Sequence, residues 1–237
     1  MDEIDRVITY FNNNFASYDN YHEIDDYLNT LLQTRKGKKT ILDIGGGGGA
    51  FASLLLNSYP DIEVTVVDPS EKFLETIKDT RINKIKGNLP DQLDVEGTFD
   101  FIFCQAVFHH IVGTSIKKSK NLFIDSLYYI KSHLNPHDGY FIVREVYYDG
   151  YIYNVLPRTL IFYLLKFQRK LRVTFPFEWF KEDLLVCFYT RNELKNILNK
   201  CGFEIVSIKE VPWKLPILFK LAGVKECGWI YIYLKLK

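Results

Sequence analysis

TILDIGGGGGAF, residues 40–51, is the stretch that decides the fold of this chain. A short apolar run ends in Asp43, five glycines follow, and residues 51–56 have the apolar content of a helix. The pattern predicts a strand, a tight glycine turn and the start of a helix. Glycine has no Cβ and adopts positive φ readily, so the turn can approach a ligand closely. The helix start adds free N–H groups. We therefore expect this loop to bind a nucleotide-type cofactor.

Strand-like and helix-like segments alternate beyond this loop. A β-branched run ends in Asp68, and two further apolar runs flank a helical pattern at residues 118–134. Such alternation is typical of right-handed βαβ units and a parallel sheet. Two β-rich runs, 203–211 and 228–236, are expected to pair antiparallel at the sheet edge. The predicted fold class is therefore α/β: a Rossmann-like, doubly wound, mostly parallel seven-stranded sheet with helices on both faces and an antiparallel C-terminal edge strand.

Two segments lie outside this alternation. Residues 1–36 have apolar residues at helical spacings, which predicts a helical cap that packs over the cofactor mouth or only covers the sheet. Residues 147–189 are crowded with aromatic and basic side chains, which predicts a helical insertion that serves as a lid over the acceptor. An extra core layer and a dimer face are the alternatives for the insertion. The length favours a single domain, 1–237, that includes both segments.

Two kinds of cofactor fit the glycine loop by itself. Gly45, Gly47 and Ala50 also match the dinucleotide pattern G-x-G-x-x-A, so an NAD(P)-binding Rossmann oxidoreductase is an alternative, as is a non-catalytic binding protein. Asp43 favours another ligand, because a carboxylate beside the loop repels a pyrophosphate and attracts an ammonium group. The amino-acid end of S-adenosylmethionine carries such a group. Asp68 follows Gly45 at about the 20-residue offset where an acid meets ribose hydroxyls.

The order of these motifs resembles that of the class I S-adenosylmethionine-dependent methyltransferases, and the resemblance covers most of the chain. Residues 41–49 resemble the family's first motif, and residues 66–68 resemble the second. Residues 87–90 stand where the family usually has Gly-Asp, with Asn88 in place of the acid that meets the adenine amino group. Residues 99–110 resemble the fourth motif and its following histidine. The resemblance implies methyl transfer from S-adenosyl-L-methionine, with S-adenosyl-L-homocysteine as the product.

The resemblance also implies which residues bind the cofactor. Asp43 would lie near the amino-acid end, Asp68 at the ribose and Asn88 at the adenine, while Tyr18 would approach from the N-terminal segment. The full expected set is Tyr18, Asp43, Gly45, Gly47, Gly49, Asp68, Pro69, Asn88, Leu89 and Gln105. Structural alternatives exist, because Asp68 can cap the next helix and Asn88 can serve a turn.

His109 and His110 are the candidates for a catalytic base, since a histidine near neutral pKa can accept a proton from a hydroxyl group. Either histidine could instead be structural. Methyl transfer from a sulfonium is an in-line displacement that depends mostly on orientation and exclusion of water, so a base is needed only for some acceptors. Arg144, Tyr147 and Tyr151 follow the next strand and are expected to contact the substrate.

Composition limits the partners. The net charge of +1 gives no field that would attract nucleic acid, so we expect a small-molecule acceptor, apolar or aromatic and lipid-like ones included. Four cysteines show no zinc-like spacing, and we expect no metal. The acidic N-terminus lacks a signal-peptide pattern, and no apolar run is long enough to span a membrane, which favours a cytoplasmic protein. We expect a monomer or a homodimer.

Overall fold

The computed structural model of the protein describes residues 3–13, 25–91, 93–171 and 184–237. Tyr18 and the segment 172–183 of the predicted insertion therefore lie outside the described residues. Everything below concerns the described part of the chain.

A seven-stranded sheet forms the centre of the molecule, in the order β3-β2-β1-β4-β5-β7-β6. The first five strands are parallel, and β7 runs antiparallel to both of its neighbours. The predicted parallel sheet with antiparallel C-terminal pairing is confirmed, with β6 outermost. The strands are β1 Lys39–Ile44, β2 Ile62–Asp68, β3 Ile82–Lys86, β4 Phe101–Gln105, β5 Tyr140–Gly150, β6 Phe203–Pro212 and β7 Val224–Leu236.

Helices cover both faces of the sheet, as predicted. Those called α2, α3 and α4 pack on one face, and α5, α6 and α7 pack on the other. Each buried Leu or Phe on these helices contributes roughly 1.5–3 kcal/mol of hydrophobic stabilisation. The helices are α1 Glu3–Asn13, α2 Asp26–Thr34, α3 Ala50–Ser58, α4 Glu71–Thr76, α5 Ile116–His133, α6 Leu156–Leu171, α7 Arg191–Lys200 and α8 Ile217–Leu221.

Side-chain caps start several of these helices. Ser70 Oγ accepts from the Phe73 N–H at the start of α4. The Thr190 side chain accepts from the Glu193 N–H, and the Glu193 carboxylate accepts from the Thr190 N–H, which is a capping box at the start of α7. Such caps satisfy N–H groups that a helix leaves without intrahelical partners.

The parallel strands end at one edge of the sheet, and this edge positions the candidate site. Asp43 lies at the penultimate position of β1, and Asp68 is the last residue of β2. Gln105 ends β4 and is in register with Arg144 of β5. Ligands of open α/β sheets bind at this carboxyl edge. A short 3₁₀ turn, Phe108–His110, follows β4 and brings both candidate histidines to the same edge.

Candidate active site

The glycine loop between β1 and α3 folds back over the end of β1. Gly45, Gly47 and Gly49 all have positive φ, at 75°, 55° and 73°. The Gly45 N–H donates to the Val67 carbonyl at 2.7 Å, which ties the loop to β2. Gly46 passes so close to Asp43 that a Cβ on Gly46 would lie 2.6 Å from Asp43 Oδ2. The sequence therefore needs glycine here both for backbone conformation and for close approach.

Asp43 lies beneath this loop and is almost fully buried. Its Oδ2 atom has no hydrogen-bond partner among the described residues. Burial, followed by the charge of Asp68, raises the pKa of the Asp43 carboxyl to about 7. A buried acceptor without a partner costs free energy, so this carboxylate is suited to a ligand that brings a donor or a positive charge.

Asp68 lies beside Asp43 and holds the loop from the other side. One Asp68 oxygen accepts from the Gly47 N–H at 3.0 Å, and the other accepts from the Ser70 N–H at 2.8 Å. Burial raises the pKa of Asp68 to about 6, although the two backbone hydrogen bonds oppose this rise. Each oxygen retains acceptor capacity for a further donor.

These observations fit S-adenosylmethionine better than a dinucleotide. A Cβ on Gly47 would meet no atom within 4 Å, so the loop leaves open space on the side where a ligand would approach. The two neighbouring acids, Asp43 and Asp68, favour an ammonium group and hydroxyl donors, and they would repel a pyrophosphate. The residues present therefore fit the predicted cofactor.

The other predicted cofactor residues line the same edge with different exposure. Pro69 directly precedes the α4 cap, and Gln105 is half-buried beside a small cavity that Arg144 also lines. Asn88 follows β3, and its side-chain amide donates to Asp91 Oδ2 at 2.9 Å. Leu89 is buried in the hydrophobic core next to this loop. Tyr18 lies outside the described residues.

The end of α1 spans this edge, which is the first of the two positions expected for the N-terminal cap. Asn12 Oδ1 accepts from Ser70 Oγ at 2.5 Å, and the Asn12 carbonyl accepts from Lys72 Nζ at 2.6 Å. The Phe11 ring packs against Phe73 and, edge-on, against His110, with centroids 6.4 and 5.2 Å apart. The first helix thus connects the end of β2 with the candidate histidines. The helical spacing of residues 1–13 predicted the helix itself, and its contacts involve long sequence separations.

His109 forms a buried pair with Glu145, a residue in the middle of β5. His109 Nδ1 is 2.5 Å from Glu145 Oε1, and the His109 backbone N–H donates to Glu145 Oε2 at 3.2 Å. Glu145 is fully buried and also accepts from the Val146 N–H. The Phe188 ring stacks on His109 at a centroid distance of 5.3 Å. The carboxylate fixes the ring orientation, and in the tautomer with the proton on Nδ1, Nε2 is the acceptor atom of the ring.

His110 is less suitable than His109 as a catalytic base. Its ring lies 4.0 Å from the His109 ring, between centroids, and its Nδ1 has no hydrogen-bond partner among the described residues. Burial, with a smaller contribution from His109, holds the pKa of His110 well below its ordinary value. A neutral, unoriented imidazole can line a site, but it lacks the carboxylate that would stabilise its protonated form.

The structure places Tyr147, an expected substrate contact, in the core. This side chain is fully buried, and its hydroxyl donates to Glu226 Oε1 at 2.7 Å. The Arg191 guanidinium packs over its ring. The strand β5 extends to Gly150, so Tyr147 alternates into the core instead of following the strand. Tyr151 lies in the exposed turn after β5, where its N–H donates to the Gly223 carbonyl, outside the cluster around His109.

Arg144 does lie at the carboxyl edge, although not as a partner of Glu145. Adjacent residues of a strand point to opposite faces, so the two side chains diverge. The Arg144 guanidinium packs over the Trp229 ring at 3.6 Å from the centroid, and Tyr231 lies at 5.6 Å. Its position beside Gln105 keeps it a candidate for contact with the acceptor.

The described residues contain no group of three His, Cys, Asp or Glu residues with the arrangement of a metal site. The four cysteines are free and buried. None of the described helices combines the length and the apolar character that crossing a bilayer requires.

Comparison with known proteins gives similarity at two levels. A family model described as "Methyltransferase domain" matches residues 15–208. Ribosomal RNA small subunit methyltransferase C of Haemophilus influenzae is 30% identical over 119 residues, 48% of this chain and 35% of that protein. Malonyl-[acyl-carrier protein] O-methyltransferase 1 of Ilyobacter polytropus is 28% identical over 115 residues, 45% of this chain and 42% of that protein. The matched region thus spans less than half the length of these relatives.

A solved structure with the same architecture extends over the whole chain. Magnesium protoporphyrin IX methyltransferase from Synechocystis PCC 6803, with S-adenosylhomocysteine bound, superimposes with a TM-score of 0.59. The superposition covers 99% of this chain and 100% of that chain, at 14% sequence identity. At so low a sequence identity, the superposition establishes a shared fold alone.

Proposed function

The chain belongs to the class I S-adenosylmethionine-dependent methyltransferases, and we propose that it methylates a hydroxyl oxygen of a small acceptor. The observation that carries the proposal is the buried His109–Glu145 pair, at the same sheet edge as the two acids beneath the glycine loop. A histidine oriented in this way serves an acceptor that must lose a proton.

Residues already described would hold the cofactor. Asp43 would accept from the ammonium of its amino-acid end, Asp68 from the ribose hydroxyls, and Asn88 from the adenine amino group. When bound, S-adenosylmethionine supplies a methyl group activated by a positively charged sulfur. The glycine loop permits close approach, while Phe11 and the end of α1 exclude water from this edge.

The His109–Glu145 pair would manage the proton of the acceptor. The tautomer in which Nδ1–H of His109 donates to Glu145 would leave Nε2 as the atom that accepts the hydroxyl proton. The Glu145 carboxylate would then stabilise the imidazolium, because the two opposite charges are buried together. Glu145 acts through His109 and is a positioning residue, whereas His109 would touch the acceptor.

The surroundings support a small acceptor with apolar or aromatic character. Phe188 stacks on His109, Tyr148 packs 4.8 Å from Phe188 between centroids, and Phe11 closes the side of His110. These rings would bind a flat or apolar molecule by burial. Residues 147–189 remain the proposed lid, although 172–183 lie outside the described residues.

RNA is the second candidate acceptor, because several relatives are named ribosomal RNA methyltransferases. The net charge of +1 argues against it, since RNA-binding proteins usually carry a strongly basic surface. The two candidates predict different products from one assay.

The test measures methyl transfer from labelled S-adenosylmethionine to a panel of phenols, aromatic acids and long-chain acids, with total RNA as a separate arm. We expect label in a small oxygen acceptor and none in RNA. His109→Gln should lower kcat by about 10²–10⁴-fold, because it removes the base, while calorimetric binding of S-adenosylhomocysteine stays the same. Glu145→Gln should shift the pH–rate profile, since it changes the preferred His109 tautomer.

His137→Gln is the matched control, because this histidine lies on the exposed turn between α5 and β5. Label that enters only RNA would contradict the small-acceptor proposal. A His109→Gln variant with the wild-type kcat and pH profile would contradict the proposed base.

A further inference from the structure

Helix α6 exposes an apolar stripe that methyl transfer does not explain. The stripe consists of Leu156, Leu160, Tyr163, Leu164, Phe167 and Leu171, each between 42% and 52% exposed. These positions follow the i, i+4, i+7, i+8 spacing of one helix face. The opposite face carries the buried residues of the helix, including Phe162 and Leu165. Helix α6 is therefore apolar on both its core side and its solvent side.

The turn before the helix continues this apolar surface. Ile152 is 87% exposed, and Tyr151 and Tyr153 on either side of it are also mainly exposed. Soluble monomers rarely expose so many large apolar side chains on one segment, and such patches mark interaction surfaces. At 16 residues, α6 is about 24 Å long, which suits it to lie on a surface.

The charge beside the stripe indicates the kind of surface. The described residues of the turn and helix, 150–171, contain no Asp or Glu, and Lys166, Arg169 and Lys170 are their basic residues outside the core, since Arg158 is buried against Glu193. Lys166 and Lys170 are exposed and occupy the flank of the stripe, one turn apart. Lys166 Nζ donates to the Thr114 carbonyl at 2.6 Å, which holds its ammonium at the end of this flank. An apolar stripe with tyrosine and phenylalanine beside lysines is the pattern of helices that lie in a membrane interface.

We propose that α6 and the turn 151–153 dock this protein onto an anionic phospholipid surface. The apolar stripe enters the boundary between headgroups and acyl chains, and Lys166 and Lys170 pair with lipid phosphates. A second copy of the chain fits the charges less well. Two α6 helices packed by a two-fold axis would bring their all-basic segments together, with like charges opposed. This surface is the solvent side of the proposed lid, 147–189, and vesicle binding tests it whatever the methyl acceptor is.

Co-sedimentation of the whole protein with vesicles tests this proposal. Vesicles of phosphatidylcholine alone are compared with vesicles of phosphatidylcholine and phosphatidylglycerol, at low and high salt. We expect binding to the anionic vesicles, weakened by salt. Lys166→Ala with Lys170→Ala should lower the partition coefficient about thirty-fold, since each basic residue near an anionic surface contributes a factor of about five.

Apolar variants test the stripe itself. Leu160→Gln with Phe167→Gln should abolish vesicle binding, whereas Tyr128→Gln should not, because Tyr128 has a similar exposure of 55% on another helix. Both sites are exposed, so melting temperatures should stay within a few degrees of wild type and show that the variants fold. Binding of S-adenosylhomocysteine should also be unchanged.

Two results would overturn the proposal. The first is vesicle binding that the stripe and lysine variants leave unchanged. The second is a wild-type protein that ignores anionic vesicles but self-associates in sedimentation velocity, with the association lost in the Leu160→Gln, Phe167→Gln variant. That second result would assign the stripe to a second copy of the chain.

Discussion

Asp43 and Asp68 lie buried at the ends of neighbouring strands. Burial raises the pKa of each carboxyl, because a charge in the protein interior costs free energy. Asp68 offsets part of this cost with two backbone hydrogen bonds, whereas Asp43 Oδ2 has no partner in the described part of the chain. The ligand-free protein therefore carries an electrostatic penalty that a cationic ligand would remove. This penalty should make the stability of the protein depend on pH.

The stability of the ligand-free protein should fall as the pH rises. The pKa of Asp43 rises from 3.8 to about 7 on folding, so the folded state holds the proton more tightly than the unfolded state. Stability is full below about pH 4 for this group and is lost as the pH rises through about 7, by on the order of 4 kcal/mol. Urea unfolding across this range measures the loss.

The Asp43→Asn variant provides the comparison for this experiment. It removes the titrating group and should flatten the decline between about pH 4 and pH 7, apart from the contribution of Asp68. S-adenosylhomocysteine should also flatten the decline in the wild-type protein, because its ammonium stabilises the ionised carboxylate. An equally steep decline in the variant would show that Asp43 does not cause it.

Sequence patterns identified the acids at this site but missed the partner of its histidine. Asp43 and Asp68 could be predicted, because each stands at a fixed offset from the glycine loop. Glu145 could not be assigned to His109, since the two are 36 residues apart and meet only when β4 and β5 pair. The burial of Tyr147 could not be predicted either, because β5 extends to Gly150 and places this side chain in the core.

At the scale of elements, the strand–loop–helix unit β1–α3 combines two requirements on glycine. Gly46 must lack a Cβ because Asp43 lies beneath it, and Gly47 must adopt positive φ while facing open space. The consequences of a methyl group at the two positions therefore differ. At Gly46 the methyl group would displace the loop, and at Gly47 it would fill space that a ligand needs.

Gly47→Ala should weaken binding of S-adenosylhomocysteine more than it weakens the fold. Alanine at φ 55° costs about 1–2 kcal/mol of stability, and its methyl group projects into the open side of the loop. We expect affinity to fall by at least about tenfold, as measured by calorimetry. Gly37→Ala is the matched control, since Gly37 also has positive φ and open space but lies before β1.

A similar loss of affinity in both alanine variants would indicate general strain and contradict a ligand-facing role for Gly47. A similar fall in melting temperature is expected in both, because the backbone strain is of the same kind. The comparison thus separates ligand contact from folding.

Most elements could be predicted because their signals are local. The alternation of strand-like and helix-like segments predicted the parallel sheet. For the N-terminal helical segment, the sequence left two positions open, over the cofactor mouth or merely on the sheet, and it could not choose between them. The position depends on contacts such as Asn12 with Ser70, whose partners are far apart in the chain. The exposure of the α6 stripe could not be predicted either, since apolar spacing alone does not distinguish a core face from a solvent face.

At the scale of the whole molecule, the two surfaces we describe serve separate roles. The carboxyl edge of the sheet holds the acids, the glycine loop and the His109–Glu145 pair. Helix α6 covers the opposite sheet face from α3 and presents its apolar stripe to solvent. Membership of the family confirms the predicted fold and cofactor class, and the acceptor and the membrane surface remain our proposals.

Calorimetric titration of the wild-type protein with S-adenosylmethionine, and in parallel with NAD, tests the central claim most directly. The account predicts saturable binding of one S-adenosylmethionine per chain, tighter above pH 7 than below it because Asp43 is then ionised, and no heat from NAD. Absence of S-adenosylmethionine binding at about 1 mM ligand, or saturable binding of NAD in its place, would contradict the account.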